Sequence, residues 1–186
     1  QRSRDHTERL FRHVGIPLRA DGTTLILSGR PAIGWPAVGT LTVPGDLSAA
    51  AFFIVGASIA PGSELTIPSV GINPTRTGLL TILTEMGAHI DILNRRDVAG
   101  EPVADLRVRT ATQLRGIRIG PDLIPQTIDE FPILCIAAAV AAGETVMTGA
   151  KELRVKESDR IATMATELKK LGVPVTEIPD GLIIQG

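Results

Sequence analysis

Arg160-Ile161-Ala162-Thr163-Met164-Ala165-Thr166-Glu167-Leu168-Lys169-Lys170-Leu171-Gly172 reads as one amphipathic helix with its stop signal attached. Ile161, Met164, Ala165, Leu168 and Leu171 recur at helical spacing and predict a core-facing stripe, and Gly172 supplies a C-terminal cap. The same layout of N-terminal Arg, apolar stripe and closing Gly occurs twice more. Arg4 opens a helix expected over residues 4–14 and closed by Gly15; Arg76 opens one expected over residues 75–86 and closed by Gly87. Three copies mark a repeat architecture. Their separation far exceeds the roughly 20–50 residues of solenoid modules, so the repeating unit is a whole set of strands and helices.

Reading outward from each helix fills in that set. Before the second helix stand Gly45-Asp46-Leu47-Ser48, an almost wholly apolar run over residues 49–60, Pro61-Gly62 and a strand at 64–67. Before the third stand Ile128-Asp129-Glu130, an apolar run over 131–142, Gly143 and a strand at 145–147. Two further strands follow each capping glycine, at 88–93 and 105–110, and at 173–178 and 182–185. With leading strands at 41–43 and 116–119, each unit reads βαβαββ. The first copy enters at its second helix and continues into strands at 16–19 and 24–27. Residues 1–44 therefore read as the last half unit of one domain plus a linker over 30–44, rich in Pro and Gly. Residues 45–186 read as two units of a second domain, about 45–114 and 115–186. The chain starts directly in helical sequence at Gln1, as a cut piece would.

The first helix of each full unit is apolar all round, which predicts burial on every side. At twelve residues each run is too short for a bilayer, which takes about 20. The fold class is α/β, with sheets packed around buried helices.

Composition narrows the functional classes. The 186 residues are 44% hydrophobic and 21% charged, enough for a real core. A net charge of −1, 3% aromatics and no basic run argue against nucleic acid as a partner. The single cysteine, Cys135, falls in an apolar helix and reads as a core thiol; alone it forms no internal disulfide. His6, His13 and His89 lack metal-like spacing.

The chemistry concentrates in Val155-Lys156-Glu157-Ser158-Asp159-Arg160, where two cations and two acids meet the start of a helix. Cations there oppose the helix dipole at a cost of roughly a few tenths of a kcal/mol each. A bound anion or the neighbouring carboxylates must compensate. Read from the residues alone, Glu157 and Asp159 could simply balance Lys156 and Arg160 on a solvated face. Asp129 could equally be an N-cap ahead of a helix with Pro132 in its first turn. Asp46 reads as a cap, and Arg76 as structural or ion-paired.

Four blocks carry a resemblance: Gly45-Asp46-Leu47-Ser48-Ala49-Ala50, Asn73-Pro74-Thr75-Arg76-Thr77-Gly78, Ile128-Asp129-Glu130-Phe131-Pro132, and the highly specific Leu153-Arg154-Val155-Lys156-Glu157-Ser158-Asp159-Arg160. Together they resemble the 5-enolpyruvylshikimate-3-phosphate synthases, the 3-phosphoshikimate 1-carboxyvinyltransferases, over the whole length. With Arg4-Asp5-His6-Thr7-Glu8 they are similar to the bacterial class that includes glyphosate-tolerant members. The resemblance implies a two-domain enzyme, each domain built of three βαβαββ units, with its active site in the cleft between them. This chain matches only the middle-to-late portion, so it resembles a fragment expected to be inactive alone.

The implied reaction adds the 5-hydroxyl of shikimate 3-phosphate to phosphoenolpyruvate and expels phosphate, in the cytoplasm and with neither metal nor cofactor. By that resemblance Asp129 binds the shikimate hydroxyls and acts in proton transfer, and Glu157 protonates the enol methylene. Lys156 holds the substrate hydroxyl or developing charge, Arg160 the phosphoenolpyruvate carboxylate or phosphate, and Arg4 approaches the shikimate phosphate. The complete enzyme is expected to be monomeric and away from membranes, while a chain with uncovered interfaces can self-associate. Two alternatives stand: a non-catalytic anion-binding repeat fragment, and a relative of UDP-N-acetylglucosamine enolpyruvyl transferase, which normally carries a loop cysteine where this chain has Cys135 in a helix.

Overall fold

A computed structural model describes residues 3–27, 29, 34 and 39–186. Most of the linker expected over 30–44 lies outside the described residues. Helix α1 (His6–His13) leads into the hairpin β1 (Leu18–Asp21) and β2 (Thr24–Leu27). Then follow α2 (Leu47–Ile59), β3 (Glu64–Gly71), α3 (Gly78–Glu85), β4 (His89–Val98) and β5 (Glu101–Arg109). The last stretch holds β6 (Arg118–Ile119), α4 (Phe131–Ala139), β7 (Glu144–Met147), α5 (Arg160–Lys170), β8 (Val175–Ile178) and β9 (Gly181–Gln185).

The repeat is visible in the strand order. The second sheet runs β6-β7-β9-β8, with β6 and β7 parallel and the rest antiparallel. The first runs β3-β5-β4, antiparallel throughout, and a parallel bridge from Gly45 to Val70 occupies the place that β6 holds in its counterpart. The expected strand at 41–43 is therefore reduced to one bridged residue. Pro44 has no N–H to give a ladder, and Val43 faces solvent. The strand expected at 116–119 likewise shrinks to two residues.

Helix ends follow the chemistry of their caps. Gly15, Gly87 and Gly172 all take positive φ, and the residue after each closes the same six-to-one bond: Ile16 to Phe11, Ala88 to Leu83, Val173 to Leu168. Asp46 caps α2, accepting from Ser48 N at 3.1 Å and Ala49 N at 3.3 Å. Asp159 caps α5 through Ala162 N at 2.9 Å.

The starts of two helices differ from expectation. Arg4 and Arg76 do not open α1 and α3; both precede them. Asn73 Oδ1 accepts from the backbone N–H and hydroxyl of Thr75, and this side-chain turn holds residues 74–77 out of the helix until Gly78. Lys156 is not on α5 either: it terminates a 3₁₀ helix, Lys151–Val155, that periodicity does not reveal. Only Arg160 stands at an α-helix start.

Burial corrects two further expectations. Ile161, Ala165 and Leu168 are buried as the stripe requires, but Leu171 is 74% exposed, because the chain has already turned into the cap. The apolar helices α2 and α4 are not buried on every side. They pack on each other and share one continuous core, through Ile54, Val55, Leu134 and Cys135, yet Phe52 and Phe53 are 62% and 63% exposed. An all-round apolar helix specifies that it can be covered everywhere; the described residues cover one side.

Candidate active site

Asp129 is the centre of the charged cluster. It sits one residue short of α4 but does not cap it: Glu130 occupies the cap position and makes no side-chain cap bond. Pro132 in the first turn has no N–H to satisfy, which leaves the Asp129 carboxylate available for cations. Arg4 Nη2 pairs with Asp129 Oδ2, and Arg76 Nη2 lies 3.6 Å from the same oxygen.

Arg76 is anchored from below. Its guanidinium lies 3.4 Å from Glu130 Oε1 and donates to Ser48 Oγ, whose own hydroxyl donates to Glu130 Oε1. The Glu130 side chain is 1% exposed, and its Oε2 has no hydrogen-bond partner among the described residues. A buried carboxylate next to a mostly buried guanidinium holds that cation strongly. Adjacent residues thus split their work: Glu130 fixes Arg76 from inside, and Asp129 meets it at the surface.

Close approach makes this possible. Gly78, the first residue of α3, lies against the 3₁₀ turn Ile124–Gln126 and Thr127, where a Cβ would stand 2.6 Å from Thr127 Cγ2 and 2.9 Å from Gln126 Cβ. Glycine at that position lets the turn carrying Arg76 reach the loop carrying Asp129.

The second part of the cluster lies beyond α4. Lys156 pairs with Glu152, and the Lys156 ammonium holds the Glu152 carboxyl below its usual value, with the charge of Arg4 adding to the effect. Glu157 is held low by its own backbone N–H and by Arg160, which donates to it at 2.8 Å; the Lys156 charge contributes. Asp159 is lowered chiefly by its cap bond from Ala162, against opposing desolvation, and also by Arg154 at 2.9 Å. Arg154 in turn donates to Glu177 at 2.8 Å and to the carbonyl of Pro179 at 2.7 Å, tying the segment to the β8–β9 turn.

The structure therefore brings Arg4 directly to Asp129, while Lys156 pairs with Glu152, whose carboxyl also feels the charge of Arg4. Glu157 and Arg160 pair with each other, and among the described residues no hydrogen bond or ion pair joins them to Asp129. Each cation of the expected set has a carboxylate partner, so the compensation at the start of α5 comes from Glu157. Arg76 is ion-paired, as its reading anticipated. Sequence reasoning gives Ser48, Glu130, Glu152 and Arg154 no role: Ser48 and Glu130 find their partners far along the chain, which no local spacing marks, whereas the i,i+4 spacing of Glu152 and Lys156 is the signal that could have found that pair. Among the described residues no group of three or more His, Cys, Asp or Glu side chains is placed to hold a metal ion. No described helix is long and apolar enough to cross a membrane.

A cluster of arginine and lysine paired with carboxylates, some exposed and one buried, can exchange partners with an incoming anion. A phosphate arriving at Arg4 would break the closer of the two ion pairs of Asp129 and leave its carboxylate facing Arg76 alone, better able to accept a proton.

Comparison with known proteins fits this geometry. The family model for EPSP synthase (3-phosphoshikimate 1-carboxyvinyltransferase) matches residues 1–186. The chain belongs to the EPSP synthase family. It is 53% identical over 184 residues to the 3-phosphoshikimate 1-carboxyvinyltransferase of Geobacter sulfurreducens, covering 99% of this chain and 42% of that one. Identity to the Acidithiobacillus ferrooxidans protein of the same name is 58%, with the same coverage. The solved EPSP synthase of Acinetobacter baumannii superposes with a TM-score of 0.93 at 47% identity, over 100% of this chain and 41% of that one. The chain thus spans about two fifths of the length of the EPSP synthases it matches, and the α/β fold is shared over all of it.

Proposed function

We propose that this chain supplies part of the active site of a 3-phosphoshikimate 1-carboxyvinyltransferase, which transfers the enolpyruvyl group of phosphoenolpyruvate to the 5-hydroxyl of shikimate 3-phosphate and releases phosphate. The observation that carries the reading is Asp129 held between Arg4 and Arg76. Shikimate 3-phosphate takes Arg4, freeing Asp129 to receive the 5-hydroxyl proton, while Lys156 meets the hydroxyl oxygen as charge develops. Arg160 leaves Glu157 for the phosphoenolpyruvate carboxylate or phosphate; Glu157, freed from that pair, takes up a proton from solvent, gives it to the methylene carbon, and takes a proton back from that carbon as phosphate leaves. Each step converts an ion pair of the ligand-free cluster into one contact with substrate.

On this reading residues 45–186 form two units of one domain, residues 1–44 belong to the end of the other, and the cleft lies between them. Glyphosate is then a ligand for the phosphoenolpyruvate subsite, and the enzyme acts as a cytoplasmic monomer. The remaining length of the relatives would supply the other groups that grip both substrates. Since positioning of reactants contributes roughly 7–11 kcal/mol to such a reaction, the 186-residue chain alone should show no more than trace turnover.

The test is kinetic. In a protein of the relatives' full length, Glu157→Gln and Asp129→Asn should each lower kcat by about 10² to 10⁴, the usual effect of a positioned acid or base, with unchanged melting curves. Near wild-type kcat for Glu157→Gln would make Glu157 a surface charge that only balances Arg160.

A further inference from the structure

Asn73 joins the two arginines that flank Asp129. It is 2% exposed and spends its whole amide on four partners. Nδ2 donates to Asp5 Oδ1 at 2.7 Å and to Glu101 Oε2 at 3.0 Å, while Oδ1 accepts from Thr75 N at 2.9 Å and Thr75 Oγ1 at 2.7 Å. The orientation of the amide is fixed by chemistry: two carboxylates can only accept, and a backbone N–H can only donate. His6 Nδ1 is 3.5 Å from Nδ2, but it serves Glu101 Oε1 at 2.7 Å.

Each pair of bonds sets one arginine. On the Nδ2 side, Asp5 is the residue next to Arg4 and stands at the N-cap position of α1, yet it makes no cap bond. An Asp there would ordinarily accept from the second or third helical N–H. Its carboxylate is instead held sideways between Asn73 and Arg9, the latter at 2.8 Å. That gives up a favourable local interaction for a distant one, and the distant one fixes where the chain enters α1 and where Arg4 reaches. On the Oδ1 side, the Thr75 bonds fold residues 74–77 into the turn that presents Arg76.

We infer that Asn73 is a positioning residue for the reaction, holding Arg4 and Arg76 on opposite sides of Asp129 through its two amide ends. The catalytic consequence rests on the function proposed above; the geometric one does not. Glu101 on the β4–β5 hairpin and His6 at the start of α1 brace the same junction by their mutual hydrogen bond, and Arg9 approaches the Gly100 carbonyl at 3.4 Å. Gly100 must remain small, because a Cβ would come within 3.0 Å of the Arg9 carbonyl and φ there is +84. Helix α1 is therefore seated on the hairpin, and Asn73 lies under the seat.

The experiment begins without turnover. In the 186-residue chain labelled with ¹⁵N, the side-chain signals of Arg4 and Arg76 are followed in Asn73→Asp, which keeps the shape but replaces the donor end with a third carboxylate facing Asp5 and Glu101. Both signals should collapse toward those of free arginine, while backbone signals of α5 and of the β6–β9 sheet stay in place. The exchanged pair Asp5→Asn with Asn73→Asp, which restores one donor-to-acceptor bond in reverse, should recover at least the Arg4 signal in part. Thr75→Val removes one donor to Oδ1 and should shift Arg76 more than Arg4; it serves where Asn73→Asp does not fold.

In the full-length enzyme, Asn73→Asp should raise KM for shikimate 3-phosphate at least tenfold at temperatures well below its melting point, and the exchanged pair should lower it again. Unmoved arginine signals in Asn73→Asp, or an unmoved Arg76 signal in Thr75→Val, would overturn the inference. Moved signals with unchanged KM would leave the geometry standing and overturn the role in the reaction. Loss of all turnover in the unsubstituted full-length protein would count against the proposed function, and the arginine signals would still decide the placement.

Discussion

Gly78→Ala sets two effects of opposite sign against each other. In a helix, alanine in place of glycine is worth up to about 1 kcal/mol, and no positive φ forbids it here. Against that stands the new methyl, 2.6 Å from Thr127 Cγ2, 2.9 Å from Gln126 Cβ and 3.2 Å from the Leu123 carbonyl. Carbon atoms settle about 3.5–4.0 Å apart, so the nearest overlap is about 1 Å. Thr127 is fully buried, and its hydroxyl lies 3.1 Å from the Leu123 carbonyl and 3.3 Å from that of Ile124, so it cannot swing away without losing those bonds. Overpacking of this kind costs about 1–3 kcal/mol; an overlap of about 1 Å against a neighbour that cannot move belongs in the upper half of that range, so sterics should win by about 1–2 kcal/mol. At about 2–4 °C per kcal/mol for a chain of this size, Gly78→Ala should melt about 2–8 °C lower than the parent. Thr127→Ser deletes the offending methyl and keeps the hydroxyl, so the double variant should show a favourable coupling of about 1 kcal/mol in a double-mutant cycle. Recovery stays partial, because Gln126 Cβ is still in the way. A Gly78→Ala protein that melts at or above the parent temperature would refute the close approach of α3 to the Thr127 turn, and with it the account of how Arg76 reaches Asp129.

Two other outcomes follow from buried groups. Burial alone would raise the Asp5 carboxyl, but hydrogen bonds from Arg9 and Asn73, with the charges of Arg9 and His6, hold it below the ordinary value. A carboxyl with a depressed folded pKa stabilises the fold above its unfolded value, about 3.9, and that contribution disappears as pH falls through the folded value. Acid should therefore loosen α1, whose neighbours across the junction include Glu101 and Asp97; the protection of Val14 and Gly15 against hydrogen exchange, taken relative to the intrinsic rate at each pH, should fall below about pH 4, and Asp5→Asn should show low protection at every pH. An α1 protected equally at pH 3 and pH 7 would contradict the role of that carboxylate. Cys135 is fully buried, and desolvation pushes its thiol well above the ordinary value. A disulfide reagent at pH 8 should label it only at the rate of unfolding, and complete labelling of the native chain within minutes would place it outside the core.

The repeat was legible because its punctuation is local. Three glycines after three apolar stripes each close a cap with bonds spanning six residues, so the pattern needs nothing from the rest of the chain. The same holds for Asp46, whose acceptors and donors lie within three residues. What escaped was set by distance or by coverage. Ser48, Arg76 and Glu130 meet across three segments, and the packing of α2 on α4 together with that of α3 on the 3₁₀ turn before Thr127 brings them together. Phe52 and Phe53 share a helix with Ile54 and Val55, and an unbroken apolar run carries no mark of which side another element will cover. Asp129 shows the limit most clearly: an acid before an apolar helix is a common cap, and what removes it from that role is Pro132 together with two arginines, one of them more than a hundred residues away.

The helix dipole acts on fewer cations than the sequence pattern predicts, and that changes what ligand binding involves. The pattern predicts both Lys156 and Arg160 at the positive end of α5. Arg160 is there, with Glu157 three residues before it as its partner; Lys156 ends a 3₁₀ helix instead and pairs with Glu152. Neither cation waits bare for an anion. These pairs are substantially solvent-exposed, and water and salt screen them so that they contribute little to stability. Exchange for a phosphate or carboxylate therefore gives up little. Arg76 differs, because its counter-ion Glu130 is buried and breaking that pair would strand a charge. The cluster thus divides into three surface cations, Arg4, Lys156 and Arg160, whose partners are readily exchanged, and one fixed cation, Arg76, that remains beside Asp129 while they move.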